Sequence, residues 1–272
     1  GSRKCGICWC IKERRIIMEK VTKNKVAKSK IVKTKKSKET ESRMKNACEL
    51  IMLVDRSGSM EACRLEANNA INEFIRTQSL DDVPTYLTLV EFDNVVHTHI
   101  TRTALDKSSP PTYTLVPRNM TALYDAIGTT VNFVGKRLSE LAESDRPDKV
   151  IFVIMTDGLE NNSKEFKADQ IKKMIEHQET KYNWKFIYLG ANQDAFAVGG
   201  SIGTSTIRTC SYDTQNFGAM CSGVSRSVSD YKSNLKADMA FTDEERAEIT
   251  QEGSSTNFPK TLKSAKKSNK TT

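Results

Sequence analysis

The chain has 272 residues, of which about 38% are hydrophobic and 28% are charged, an ordinary balance for a water-soluble protein. That length accommodates one large domain or two small ones. No apolar run approaches the roughly 20 residues that a membrane-spanning helix requires. The N-terminal segment carries charge but neither an apolar core nor a small-residue cleavage site, so we expect no signal peptide.

The net charge of +8 is distributed unevenly along the chain. Residues 1–47 contain 16 Lys and Arg against 4 Glu, a net charge of +12, and residues 259–272 contain 5 Lys and no acid. The remaining residues, 48–258, therefore have a net charge of −9. The sequence predicts an acidic body between two basic tails.

The seven cysteines show no pattern typical of a secreted disulfide framework. Three lie in the stretch CGICWC, at Cys5, Cys8 and Cys10, and the others are scattered. An odd, unpatterned number favours a reducing compartment, so we expect a cytoplasmic, intracellular protein. The CGICWC stretch resembles half of a zinc knuckle, but no second ligand cluster follows within reach.

The two tails are predicted to be largely disordered. Residues 1–46 form a basic N-terminal arm whose lysine-rich part, 19–45, has too few apolar residues to offset the entropy of ordering. Residues 259–272 form a similar basic tail. Such arms bind nucleic acid, an anionic surface or the protein's own acidic body, or they only keep the protein soluble.

Between the tails, residues 47–258 alternate between strand and helix patterns. Apolar runs and alternations predict strands at 50–55, 85–93, 95–101, 149–158, 184–191 and 205–212. The strands at 85–93 and 95–101 form a hairpin, so one edge strand is antiparallel. Helical periodicity is present at 61–78, 121–141, 166–178 and 217–231, and Thr242 with Glu245 matches a capping box. The first helix has a predicted apolar stripe of Leu65, Ala67, Ile71, Phe74 and Ile75.

This order predicts an α/β fold: a doubly wound, mostly parallel sheet with one antiparallel edge strand and helices on both faces. In such folds ligands bind at the carboxyl ends of the strands. Two buried strands here end in an aspartate, Asp55 in the stretch IMLVDRSGSM and Asp157 in IMTDG. The site is therefore expected at that edge of the sheet.

Five oxygen-bearing side chains are predicted to meet there: Asp55, Ser57, Ser59, Thr121 and Asp157. Two carboxylates and three hydroxyls, without His or Cys, form a hard-oxygen ligand set that suits Mg²⁺, or Mn²⁺ or Ca²⁺, better than zinc. The alternative is structural, because Asp-x-Ser-x-Ser also matches a helix cap and a tight turn.

This constellation resembles the von Willebrand factor A (vWA) domain and its metal-ion-dependent adhesion site (MIDAS). Asp55, Ser57 and Ser59 match the Asp-x-Ser-x-Ser element of the family, Thr121 matches its distant Thr, and Asp157 matches its Thr-Asp-Gly turn. The stretches LGANQDAFAVGGSIG and FTDEER are similar to intracellular bacterial and phage members. The family usually has Gly before the Thr; here Arg118-Asn119-Met120 stands there, and Asn tolerates a left-handed backbone.

The resemblance implies a divalent-cation-dependent protein-binding module, in which the ion coordinates an Asp or Glu of a protein partner. The alternative is a nucleic-acid-associated protein whose lysine-rich tails bind DNA or RNA. Enzyme activity is not expected, since no general base is placed beside the site, and position 57 is Ser where a haloacid-dehalogenase-like phosphatase needs a second Asp.

The three histidines are interpreted structurally. His97 and His99 share a face of the predicted edge strand, and no third soft ligand is adjacent in the sequence, which favours a solvated strand face. His177 lies near the end of a predicted helix, where a favourable contact with the helix dipole accounts for it.

Overall fold

The computed structural model describes residues 46–191, 195–213 and 216–250. The basic N-terminal arm, with Cys5, Cys8 and Cys10, and the tail 259–272 lie outside this part, as do residues 251–258. Six strands form one sheet: β1 (Cys48–Asp55), β2 (Thr85–Phe92), β3 (Val96–Ala104), β4 (Lys149–Thr156), β5 (Lys185–Ala191) and β6 (Thr209–Tyr212).

The sheet has the order β3-β2-β1-β4-β5-β6, with β1 at its centre. All neighbours run parallel except β3, which pairs antiparallel with β2 at the edge. Chain order reverses direction at β1, so the carboxyl ends of β1 and β4 lie side by side at the topological switch point, where α/β folds bind ligands. The predicted mostly parallel sheet with one antiparallel edge strand is confirmed.

Helices cover both faces of the sheet, as predicted. They are α1 (Arg64–Leu80), α2 (Leu123–Ser139), α3 (Ala168–Tyr182), α4 (Ala195–Ser201), α5 (Phe217–Lys232) and α6 (Asp243–Thr250). Buried residues of α1, α5 and α6 belong to one hydrophobic cluster, and those of α2, α3 and α4 belong to the other.

The central strand β1 shows why the chain forms this sheet. Its eight residues are all buried, and they divide by alternation between the two faces. Leu50, Met52 and Val54 pack in the first cluster, whereas Ile51 and Leu53 pack in the second. A strand covered on both faces is mostly apolar, which is the continuous run that residues 50–54 show.

Three details of the prediction are wrong. The helix predicted at 61–78 begins as a 3₁₀ helix at Gly58–Cys63, and α1 starts only at Arg64. The backbone before it is held by bonds to Asp55 and Asn119 instead of helical ones. Leu65 is 63% exposed and does not belong to the buried stripe. The last strand is shorter than 205–212, since a 3₁₀ turn occupies Thr206–Arg208.

The C-terminal helix α6 begins with the predicted capping box. The Glu245 N–H donates to Thr242 Oγ1 at 3.1 Å, and the Thr242 N–H donates to Glu245 Oε2 at 2.9 Å. These reciprocal bonds satisfy two backbone donors that the first helical turn leaves open. Within the described residues, no helix has the length and apolar character needed to cross a membrane.

Candidate metal centre at the carboxyl edge of the sheet

The turn after β1 places its oxygens by hydrogen bonds to a buried aspartate. Asp55, the last residue of β1, is fully buried. Its Oδ1 accepts the Ser57 N–H at 2.7 Å, and its Oδ2 accepts the Thr156 hydroxyl at 2.6 Å. Asp55 therefore fixes the turn of its own loop and ties it to the end of β4.

A chain of short polar contacts connects this turn to Asp157. Ser57 Oγ and Ser59 Oγ lie 3.0 Å apart, and the Ser59 hydroxyl donates to Asp157 Oδ1 at 2.7 Å. Ser57 stands at the N-cap position of the 3₁₀ helix but makes no side-chain capping bond. The alternative interpretation of Ser57 as a helix cap therefore does not match its contacts, because its hydroxyl turns toward the other oxygens.

Thr121 completes the group from a third loop, and Gly158 marks the point around which the oxygens gather. A Cβ placed on Gly158 would lie 3.0 Å from Thr121 Oγ1, 3.6 Å from Ser59 Oγ and 3.8 Å from Asp55 Oδ2. Side chains from the turn after β1 and from the Thr121 loop thus border one small space that Gly158, in a third loop, leaves open. All five predicted residues lie in this group, which we call the oxygen cluster.

Backbone bonds hold the Thr121 loop against the first turn. Asn119 has a positive φ of 60°, and its carbonyl accepts the Gly58 N–H at 3.0 Å. The Arg118 N–H donates to the Arg56 carbonyl at 2.7 Å. Asn119 thus takes the left-handed conformation for which Gly is the usual residue, as the sequence predicted.

The loop after β4 is attached to the start of α2 by side chains that the sequence analysis missed. Asn161 Oδ1 accepts the Thr121 N–H at 2.9 Å, and Glu160 Oε2 accepts the Tyr124 N–H at 3.1 Å. Asp125 in turn accepts three N–H groups of residues 164–166. These bonds fix the positions of Thr121 and Gly158 relative to each other, and no short-range pattern in the sequence signals them.

In the metal-free protein, the charged form of both carboxyl groups of the oxygen cluster is disfavoured. Burial raises the pKa of Asp55 from 3.8 to about 6, although the bonds from Thr156 and Ser57 oppose the shift. Burial also raises the pKa of Asp157. A carboxylate that loses solvation without gaining a cationic partner is stabilised by a bound cation.

The remaining side chain of the first turn, Arg56, points to a different network. Its guanidinium pairs with Glu91 and lies 3.2 Å from Asp93 Oδ2, which also pairs with Arg118 at 2.6 Å. Glu91 additionally lies 2.9 Å from His97 Nδ1. Arg56 is therefore neutralised by its own partners and does not serve as the counter-ion of the oxygen cluster.

The histidines are placed partly as the sequence predicted. His97 and His99 are exposed on β3, but the structure sets the Glu91 carboxylate beside them as a third candidate ligand. The expectation concerned a third soft ligand; Glu91 is a hard carboxylate ligand, which the pairing of β2 with β3 brings opposite His97. His177, near the end of α3, contacts the Tyr182 ring edge-on at 5.7 Å between centroids.

No protein-family model and no curated protein matches this chain. Solved structures do match, at low sequence identity. The vWF domain of the type V pili tip protein Mfa5 from Porphyromonas gingivalis is 11% identical with a TM-score of 0.51, and the match covers 78% of this chain and 99% of that one. Proximal thread matrix protein 1 from the mussel byssus is 12% identical with a TM-score of 0.50, covering 68% of this chain and 47% of that one.

Two further structures are similar at lower scores. A von Willebrand factor type A protein from Catenulispora acidiphila is 13% identical with a TM-score of 0.47, covering 69% of this chain and 43% of that one. A structure of the mussel protein with a zinc-occupied MIDAS motif is 15% identical with a TM-score of 0.46, covering 65% and 46%. This chain thus spans less than half the length of the mussel and Catenulispora proteins.

The chain therefore has the fold of a von Willebrand factor type A domain, as the motif pattern predicted. The matches with TM-scores of 0.50 and 0.51, at identities of 11–12%, establish the fold alone. The expected likeness to intracellular bacterial and phage members stays a prediction. The function has to be argued from the residues of this chain.

Proposed function

We propose that the oxygen cluster binds one divalent cation and that the bound ion recruits an acidic side chain of a protein partner. The observation that carries the proposal is the space beside Gly158, which oxygens of Thr121, Ser59 and Asp55 approach from two other loops. Hydroxyls of Ser57, Ser59 and Thr121 would hold the ion directly. Asp55 and Asp157 would act directly or through water.

The chemistry of the donors selects the ion. Every donor is an oxygen, two are carboxylates, and no imidazole or thiol is among them, which suits Mg²⁺ or Mn²⁺ and allows Ca²⁺. The charge also fits, because the carboxylates of the buried Asp55 and the partly buried Asp157 balance a doubly charged ion. When bound, the ion supplies a coordination position that an additional anionic oxygen can fill.

Exposed apolar side chains at the rim support a protein as the partner. Met120, directly before Thr121, is 50% exposed, and Leu159, directly after Gly158, is 61% exposed. Apolar side chains beside a charged site are costly to leave in water but pack well against a protein surface. A free inorganic anion would leave them uncovered, whereas a partner that presents Asp or Glu would cover them.

We propose binding rather than catalysis for this site. The carboxylates nearest the space are those that would hold the ion, so none remains as a general base. Among the described residues, Glu61, two residues after Ser59, pairs with Arg64, and the nearby Glu160 and Asp125 are each engaged by two backbone N–H groups or more. A base already held by two donors has little capacity to accept a substrate proton.

The intracellular setting is part of the same proposal. The four cysteines in the described part, Cys48, Cys63, Cys210 and Cys221, are free and buried. Burial raises the pKa of Cys63 to about 12 and that of Cys210 to about 11, which keeps both as inert thiols. Buried unpaired thiols are typical of proteins that fold under reducing conditions.

Thermal melts with and without Mg²⁺ test the metal site. An ion that binds only the folded chain adds about 2.7 kcal/mol at 100 times its Kd. For a domain of this size that corresponds to a rise in Tm of roughly 5–11 °C. Asp157→Ala should abolish the rise. Asp148→Ala, an exposed acid just before the opposite end of β4, is the matched control and should retain it. A wild-type Tm that ignores Mg²⁺ and Mn²⁺ would contradict the proposal.

Affinity capture from the native source tests the partner. The wild-type chain should retain a protein in Mg²⁺ and release it in chelator, and Thr121→Ala should fold normally but capture less. Capture that is equal in chelator, and equal for Thr121→Ala, would show that the oxygen cluster does not bind the partner.

The second candidate function is nucleic-acid binding by the basic arms, favoured only by their charge of +12 and +5. Binding through lysines to phosphates releases counter-ions, so it weakens steeply as salt rises and is indifferent to chelator. Salt and chelator therefore separate the two candidates.

A further inference from the structure

A second group of candidate metal ligands lies on the edge hairpin, outside the oxygen cluster. It consists of Glu91 on β2 and of His97 and His99 on β3, and one ligand atom from each lies within 4.8 Å of the others. Glu91 and His97 are directly opposite in the antiparallel register. His99 lies at the register shift between Thr98 and Ile100, and its ring still joins the other two ligands.

The distances require only small movements to form a site. In tetrahedral zinc sites the bonds to nitrogen and oxygen are about 2.0–2.1 Å, which places neighbouring ligand atoms about 3.3 Å apart. His97 Nδ1 already lies 2.9 Å from Glu91 Oε1. Both imidazoles are exposed, so they can adjust by side-chain rotation, while the buried Glu91 supplies a fixed point.

Surrounding residues orient the ligands as they do in built metal sites. The Tyr113 hydroxyl donates to Glu91 Oε2 at 3.2 Å, and the Tyr113 ring contacts His99 edge-on at 5.2 Å between centroids. The Tyr113 backbone is itself fixed, because its N–H and its carbonyl both bond the Asn72 side chain at 2.8 Å. One buried tyrosine thus positions two of the three ligands, the kind of outer-shell support that metal ligands usually have.

The charges around Glu91 determine which ion fits. Glu91 also pairs with Arg56, so a cation at this carboxylate competes with a guanidinium. Arg56 keeps Asp93 as a second partner 3.2 Å away, which lowers the cost of giving up Glu91. An ion that binds only carboxylates gains little by replacing Arg56 at Glu91. An ion that binds imidazole strongly gains His97 and His99 as two additional ligands.

We propose that Glu91, His97 and His99 form a zinc-type transition-metal site with one coordination position open to solvent. Its nitrogen donors exclude Mg²⁺ as the preferred ion and separate it chemically from the oxygen cluster. The site is connected to the oxygen cluster through Arg56, which lies between Asp55 and Ser57 and contacts Glu91.

The test is a calorimetric titration of the full-length chain with Zn²⁺ in excess Mg²⁺. Cys5, Cys8 and Cys10 are replaced by Ser in every sample, so that their thiols do not contribute; the four cysteines of the described part are buried. One zinc per chain should bind. The His97→Gln, His99→Gln double variant should lose that binding event, and His177→Gln, a histidine on another element, should retain it.

Asp157→Ala separates this proposal from the metal centre of the oxygen cluster. That variant should lose the Mg²⁺-dependent rise in Tm yet still bind one zinc. Both exposed histidines tolerate replacement, and an unchanged Tm of the double variant in chelator verifies its fold. Zinc binding that is absent from the starting protein, or equal in the double variant and in His177→Gln, would overturn the site on the edge hairpin.

Discussion

Gly158→Ala fills the proposed ion site without removing any ligand. The added methyl group would lie 3.0 Å from Thr121 Oγ1 and 3.6 Å from Ser59 Oγ, in the space that the oxygens surround. Gly158 does not have a positive φ, so alanine fits its backbone. The substitution therefore tests the space itself rather than the charge of the aspartates.

The expected effect differs between the metal-free and metal-bound protein. Without ion, alanine reduces the conformational entropy of the unfolded chain and so raises the free energy of unfolding by about 0.4–1 kcal/mol. The close contact of the new methyl group with Thr121 opposes this gain. The metal-free Tm should therefore stay within a few degrees of wild type. With Mg²⁺ at 100 times the wild-type Kd, wild type gains about 2.7 kcal/mol and Gly158→Ala should gain none.

Differential scanning calorimetry in chelator and in Mg²⁺ measures both quantities. Gly218→Ala on α5 is the matched control, because a Cβ there meets no atom within 4 Å. This control should keep the full Mg²⁺ increment. If Gly158→Ala also keeps it, the ion does not occupy the space beside Gly158, and the reasoning from that geometry is refuted.

Three further predictions concern pH, a buried ion pair and the arms. Because burial raises the folded-state pKa of Asp55 from 3.8 to about 6, metal-free wild type should lose about 2 kcal/mol relative to Asp55→Asn as pH rises from 4 to 6. Urea titrations in chelator measure this, and parallel pH profiles would contradict it. Asp81→Ala should lower the free energy of unfolding by about 3 kcal/mol, because the fully buried Lys232, which lies 2.7 Å from Asp81, loses its carboxylate partner. Asp82→Ala, at the neighbouring residue, is the control. Equal urea midpoints for the two variants would refute the pairing. The affinity of the full chain for DNA or RNA should fall steeply between about 50 and 200 mM salt and should not change with chelator. Salt-resistant binding in gel shifts would show that residues 48–258, rather than the arms, bind the nucleic acid.

The sequence predicted the sheet and the five oxygens because both depend on short patterns. A strand buried on both faces is mostly apolar, so β1 and β4 are visible as continuous runs that end in Asp55 and Thr156-Asp157. The rule that ligands bind at the carboxyl ends of such strands then brings the two aspartates to one edge. The left-handed Asn119 was also foreseeable from its residue type.

What the sequence did not show depends on contacts between distant segments. Glu91 meets Arg56 only because β2 lies beside β1, a placement that no local pattern encodes. The hairpin of β2 and β3 was predicted, but its register, which sets Glu91 opposite His97, was not. The bond from the Tyr124 N–H to Glu160 spans 36 residues. Leu65 matched a helical period, yet its side of α1 faces solvent at the start of the helix. Periodicity identifies an apolar face but not the neighbour that covers it.

Binding of Mn²⁺ to the full-length chain, measured by electron paramagnetic resonance, tests the oxygen cluster most directly. The account predicts one bound Mn²⁺ per chain, displaced by Mg²⁺, lost in Asp157→Ala and retained in Asp148→Ala. The absence of bound Mn²⁺ in wild type, or an equal amount in Asp157→Ala, would contradict it.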